Sequence, residues 1–141
     1  MSADRKAQIA QVNDEIWNQG NMDAVARLFA PNIVRHQPPM PDVVGLEAVT
    51  QYIRDIRSAY SQLRLQIHDL IIDGDISASR FTIEAMHTGN SPTLPVAPTG
   101  KPVVIHGAGI WHWEDGRVIE EWTYNDYLGL MQQLGIISSA R

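Results

Sequence analysis

Residues 103–126 read VVIHGAGIWHWEDGRVIEEWTYND, and how this stretch folds back on itself decides the fold. The first half alternates. Val103, Ile105, Gly107, Gly109, Trp111 and Trp113 would share one face of a strand, and Val104, His106, Ala108, Ile110 and His112 the other. Neither face reads as solvated. A sheet covered on both sides needs helices on one and something else on the other. In a chain of 141 residues the second cover is expected to be another copy, giving a homodimer or higher oligomer through the sheet. Two glycines midway along a strand leave either a hollow or a close backbone approach.

The turn sets what faces those glycines. A three-residue loop, Glu114-Asp115-Gly116 with Gly116 left-handed, pairs Trp113 with Arg117 and Gly109 with Glu121. Glu121, Thr123 and Asn125 then edge the hollow. A two-residue Asp115-Gly116 loop shifts the register by one and turns every returning side chain over. Glu120, Trp122 and Tyr124 would then line it. The position of Gly116 favours the longer loop.

Outward from this hairpin, the pattern is helices first and strands afterwards. Residues 4–19 predict a helix with Ile9, Val12 and Ile16 on one stripe, Asn13 and Trp17 beside it, and Gly20 as its cap. Asn21 caps a shorter helix, Met22–Phe29, which Pro31 stops. Residues 33–36 are briefly extended. Residues 45–60 carry Val49, Ile53, Ile56 and Tyr60 at helical spacing. The period then changes to two through Leu63, Leu65 and Ile67, with turns at Asp73-Gly74-Asp75. Strands are expected at 76–87, 102–113 and 117–125, a loop at 88–101 and a last helical turn or two at 127–134. Separate runs of helices and strands imply α+β, an antiparallel sheet with helices on one face, in one domain.

Composition narrows the function. The chain is 44% hydrophobic with a formal net charge of −5, and no Lys/Arg stripe argues for nucleic acid. No segment approaches the ~20 apolar residues of a membrane span, and no apolar signal core opens the chain, so a cytoplasmic location is expected. There is no cysteine, which removes thiolate chemistry and zinc–thiolate sites. No histidine pair has metal-ligand helical spacing, so no metal site is expected.

Several stretches resemble the SnoaL-like polyketide cyclases, of the superfamily that includes nuclear transport factor two, ketosteroid isomerase and scytalone dehydratase. They are NQGNMDAVARLFAPNIVRHQPP at 18–39, HTG at 87–89, PTGKPV at 98–103, and Trp122-x-x-x-Asp126 followed by Gln-Leu-Gly at 133–135. The resemblance implies a cone-shaped curved sheet around a deep apolar pocket, closed by the N-terminal helices. It implies acid–base chemistry on a hydrophobic, oxygenated small molecule, polyketide- or terpenoid-like, without metal or cofactor. The cyclase aspartate would fall at Thr123 and its partner histidine at Gly109. An isomerase-type base would fall near His36 and its oxyanion tyrosine near Asn13. Those positions carry different groups here.

The candidate catalytic residues are therefore His36, at the expected pocket mouth, Glu121, inward on the favoured register, and Asp126, which also suits a helix N-cap. Asn13, Trp17, His87, Gly109, Trp111, Thr123 and Tyr124 are the candidate substrate contacts. The expected reaction is cyclisation, isomerisation or dehydration. The alternative is a non-catalytic binding or dimerisation module of the same fold.

Overall fold

Ile9, Val12 and Ile16 recur at helical spacing, and α1 (Ser2–Asn13), followed by a wider π turn at Asp14–Asn18, buries all three. The computed structural model describes residues 2–138, with side chains from Asp4 onward. The Asn18 side chain clamps this helical segment to the sheet. It accepts from the Leu65 N–H at 2.6 Å and donates to the Leu65 carbonyl at 3.1 Å. Gly20 takes a left-handed φ of +74°, and a Cβ there would meet the Arg57 guanidinium at 2.3 Å. Asn21 caps a single 3₁₀ turn, Met22–Ala24, by accepting from the Asp23 N–H. α2 (Val25–Leu28) follows directly. The stripe Val49, Ile53 and Ile56 lies on α3 (Leu46–Ala59) and packs against β1 and β3.

The strands are β1 (Phe29–Gln37), β2 (Met40–Val44), β3 (Tyr60–Asp73), β4 (Ile76–His87), β5 (Pro102–Glu114) and β6 (Arg117–Asn125). A short helix, α4 (Tyr127–Gln133), closes the order. They form one six-stranded sheet in the order β2-β1-β6-β5-β4-β3. The sheet is curved and unclosed. Bulges in β3 between Ser61 and Arg64 and between Ile67 and Asp69 bend it, as extra residues in one strand do. The sheet is not antiparallel throughout, because β1 runs parallel to β6. The chain enters β1 from α2 and reaches β6 only after crossing the whole sheet.

Two apolar clusters flank the middle of the concave face. One joins α1, α2 and α3 to Phe29, Trp113 and Val118. The other joins Tyr60, Leu63, Val103 and Ile105 to Leu130 and Leu134. The opposite face is not covered within one chain. Val104, Ile110 and Tyr124 are 38%, 42% and 54% exposed there. No helix among the described residues is long and apolar enough to cross a membrane.

Candidate functional site

The β5–β6 hairpin turns through two residues, not three. Glu114 pairs with Arg117, and Asp115 and Gly116 both take positive φ, +51° and +79°. That is the geometry whose twist matches paired strands. Alone it would have sent Glu121 outward. The pairing shifts again at once, however. Trp113 faces Val118, while His112 faces Glu120, so Ile119 is an unpaired extra residue. This bulge restores the parity. Trp111 faces Glu121, Gly109 faces Thr123 and Gly107 faces Asn125. The inward set is thus Glu121, Thr123 and Asn125, though each lies opposite a different partner from the one expected.

Between the two apolar clusters lies a cavity of about 90 Å³. With roughly 10–15 Å³ needed for each water centre, that is room for several waters or one small ligand. Leu63, Leu65, Ile67, Phe81, Ile83 and Ile105 supply much of its wall. The two glycines behave differently. A Cβ on Gly109 would point into space limited only by the Trp122 carbonyl at 3.2 Å and Thr123 Oγ1 at 3.7 Å. A Cβ on Gly107 would strike Asn125 Oδ1 at 2.3 Å and the Phe81 ring at 2.6 Å. Gly109 therefore opens the hollow, while Gly107 makes room for neighbouring side chains.

One end of the cavity is polar, and its centre is an ion pair. Arg35 Nη1 donates to Glu121 Oε1 at 2.6 Å, and the two side chains are only 8% and 6% exposed. The other Glu121 oxygen accepts from Trp111 Nε1 at 2.6 Å. Arg35 also gives two bonds to Gln37 Oε1, from Nε at 3.0 Å and Nη2 at 2.8 Å. The Tyr52 hydroxyl donates to that oxygen at 2.8 Å, and Gln37 Nε2 donates to the Tyr127 hydroxyl. The Arg35 guanidinium lies over the Tyr52 ring at 5.1 Å. Burial opposes the charge on Arg35. The facing Glu121 carboxylate, Tyr52 and Tyr127 together outweigh it and hold the guanidinium above its ordinary value. Burial pushes the Tyr52 phenol up to about 12, against the pull of Arg35. Tyr52 is therefore a neutral hydrogen-bond donor at physiological pH.

Asn13, Trp17, Gly109, Trp111, Glu121 and Thr123 all border this cavity. The other expected site residues do not. His36 sits on the opposite face of the sheet, because Ile33, Arg35 and Gln37 take the inward positions of β1 and alternation sends His36 out. There it bridges Asp42 (Nδ1, 2.9 Å) and Glu120 (Nε2, 2.6 Å) and stacks on Trp122 at 5.1 Å. The hydrogen bond it gives to Glu120, then the one to Asp42, raises its pKa. Asp126 is exposed and caps α4, accepting from the Gly129 N–H at 2.8 Å. Tyr124 is on the outer face, as the restored parity requires. His87 is fully buried but beside the cavity rather than in its wall. Its Nδ1 accepts from the Thr99 N–H at 3.2 Å, its Nε2 has no partner among the described residues, and its ring leans on Tyr60.

Sequence reasoning missed Arg35, Gln37, Tyr52 and Tyr127. Three of these had a signal. Ile33 inward makes Arg35 and Gln37 inward by alternation. Tyr52 stands three residues after Val49 and four before Ile56, within the apolar stripe of α3. Tyr127, at the start of a short helix, has no periodicity to betray it. Among the described residues no group of three or more His, Asp or Glu side chains is placed to hold a metal ion.

The geometry has counterparts in solved structures. TsrD from Streptomyces laurentii is 26% identical, with a TM-score of 0.83 over 93% of this chain and 95% of that one. AclR from Streptomyces galilaeus is 25% identical, with a TM-score of 0.82 over 99% and 85%. IdmH from Streptomyces antibioticus, at 23% identity and a TM-score of 0.75 over 92% and 97%, shares the fold. Among curated proteins, none matches the chain. The family model described as SnoaL-like polyketide cyclase matches residues 7–134, nearly the whole sequence, and the chain belongs to that family.

Proposed function

We propose that this protein is an enzyme that binds an apolar, oxygenated small molecule, polyketide- or terpenoid-like, and moves a proton next to its carbonyl group by side-chain acid–base chemistry. One observation carries the reading. Glu121, 5% exposed, is held by two N–H donors at the polar end of an otherwise apolar cavity. A carboxylate has about four acceptor positions, so Glu121 keeps capacity to take a proton.

In this mechanism a Glu121 oxygen takes the proton from a C–H beside the carbonyl. The C–H electron pair becomes the new C=C bond, and the carbonyl pair moves onto oxygen. Arg35 uses three of its five N–H groups on Glu121 and Gln37. The others are available to the developing enolate, in a site where water does not screen them. Thr123 and Asn13 border the same space and orient the substrate. Returning the proton to a different carbon gives isomerisation. Attack of the enolate carbon on a second carbonyl, whose oxygen takes the proton from the Glu121 carboxyl, gives cyclisation, and departure of a β-hydroxyl as water with that same proton gives dehydration. His36 has no part in this scheme, since the sheet separates it from Glu121.

The test needs no natural substrate. The bicyclic ketone 2-tetralone has acidic C–H groups next to its carbonyl, and ¹H NMR in D₂O follows their exchange. The wild-type protein is expected to accelerate that exchange, and Glu121→Gln to lose about 10²–10⁴ of the acceleration. Exchange at the buffer rate in the wild type would refute the enzyme reading. A binding module is the second reading, favoured by the fact that both Glu121 oxygens are already engaged. It predicts that 2-tetralone binds without exchange.

The uncovered sheet face supports a homodimer or larger homo-oligomer. Val104, Ile110 and Tyr124 project from adjacent strands there, and a second copy of the same face would bury them. Sedimentation equilibrium checks it, with Ile110→Glu expected to shift the mass toward the monomer.

A further inference from the structure

We infer that the Tyr127 hydroxyl is the donor that holds a ligand oxygen in the cavity. The inference rests on the reading of this cavity as the substrate site, and it follows from hydrogen-bond direction. A guanidinium can only donate. Arg35 donates twice to one atom of the Gln37 amide, so that atom is the carbonyl oxygen. The Tyr52 hydroxyl gives its hydrogen to the same oxygen. Turning the amide over would set an NH₂ group against three donors in a side chain that is 3% exposed, where unmatched groups are costly.

With the amide fixed, Gln37 Nε2 faces Tyr127 and has only hydrogens to offer. The Tyr127 oxygen must accept. Its own hydrogen is then left to give, and no protein acceptor for it is found among the described residues. Three tyrosines border the cavity, Tyr52, Tyr60 and Tyr127. Tyr52 has spent its hydrogen on Gln37, and Tyr60 directs its own to Ser91 at 3.4 Å. Tyr127 alone of the three is poised to donate to what the cavity holds. The complementary ligand presents an acceptor oxygen there, a carbonyl in the proposed substrate class. Glu121, Arg35, Gln37 and Tyr127 form one hydrogen-bonded chain. The ligand oxygen is thus held at one end of the chain whose other end carries the carboxylate.

The chain makes two variants informative. Tyr127→Phe removes the donor outright. Gln37→Glu keeps the phenol but replaces the N–H donor by an acceptor, which captures the phenol hydrogen. The probes are 2-tetralone and tetralin, the second lacking the oxygen. Dissociation constants come from ¹H–¹⁵N NMR titration, followed at the Trp111 indole N–H, with thermal melting to confirm folding. Both variants are expected to weaken 2-tetralone about threefold to tenfold, the span of one net hydrogen bond, while tetralin changes by less than about twofold. A merely structural role for Tyr127 would weaken both probes alike. If the wild type binds both probes and the folded Tyr127→Phe protein keeps the wild-type ratio, the inference falls and the cavity reading stands. An unchanged ratio in Gln37→Glu overturns the assigned direction of the Gln37–Tyr127 bond, and with it the inference. If the wild type binds neither probe, the cavity reading falls too.

Discussion

Replacing Glu121 with leucine would leave the Arg35 guanidinium charged, 8% exposed and without its carboxylate. Two unit charges about 4 Å apart at an effective dielectric of ~20 attract by about 4 kcal/mol. Breaking a buried pair on one side costs about 3–5 kcal/mol, because the survivor keeps its desolvation penalty. For a domain of this size that is a fall of roughly 10–15 °C in Tm. Arg35→Met is expected to cost somewhat less, since Trp111 Nε1 still donates to the abandoned carboxylate at 2.6 Å. The double variant removes both charges and leaves apolar surface in a largely apolar wall. Its loss should fall short of the sum of the two singles by at least about 2 kcal/mol. Urea denaturation followed by far-UV circular dichroism, at low salt and in 0.5 M NaCl, measures the cycle, and the coupling should survive salt because both side chains are buried. Losses that add to within about 0.5 kcal/mol would refute the reasoning, as would a Glu121→Leu cost below about 1 kcal/mol.

Two further outcomes follow from the sheet. His36 gains two carboxylate partners on folding, so its pKa is raised. That stabilisation is complete below the unfolded value near ~6.5 and is lost as pH rises through the folded value. The Tm advantage of the wild type over His36→Gln should therefore shrink from pH 6 to pH 9, and an advantage that grows over that range would contradict it. Gly107→Ala should cost about 1 kcal/mol or more beyond Gly109→Ala, since only the former drives a Cβ into Asn125 and Phe81. Gly109→Leu should leave the protein folded but abolish 2-tetralone binding, which thermal melting and NMR titration check together.

Most of the fold could be read before any coordinates. β4 and β6 have the boundaries that alternation and the glycine turns assign, because their faces are set by long-range burial that repeats every second residue. β1 and β2 were harder. Pro31 reads as a helix stop, yet it falls inside β1, in the irregular gap between the paired residues Phe29 and Val34. Pro41 lies on the edge strand β2, which tolerates a missing donor. Reading only 33–36 of β1 as extended left its inward face unassigned, so Arg35 and Gln37 were missed and His36 was placed at the pocket mouth. The polar cluster is also assembled across β1, β5, β6, α3 and α4, and no local pattern encodes such a meeting. Glu121 was found on its correct face even though the turn was shorter than expected, since the bulge cancelled the difference.

That cancellation has a consequence for comparing relatives. The extra residue sits at Ile119, between the turn and the carboxylate, so parity along β6 changes twice within five positions. An alignment that opens no gap before Glu121 would match it to an outward-facing residue in a homologue that has the same two-residue turn but lacks the bulge. The gap belongs at 119. Placed there, inward residues correspond to inward residues, and an apparent loss of a polar site can be told from a shift of one position along the strand.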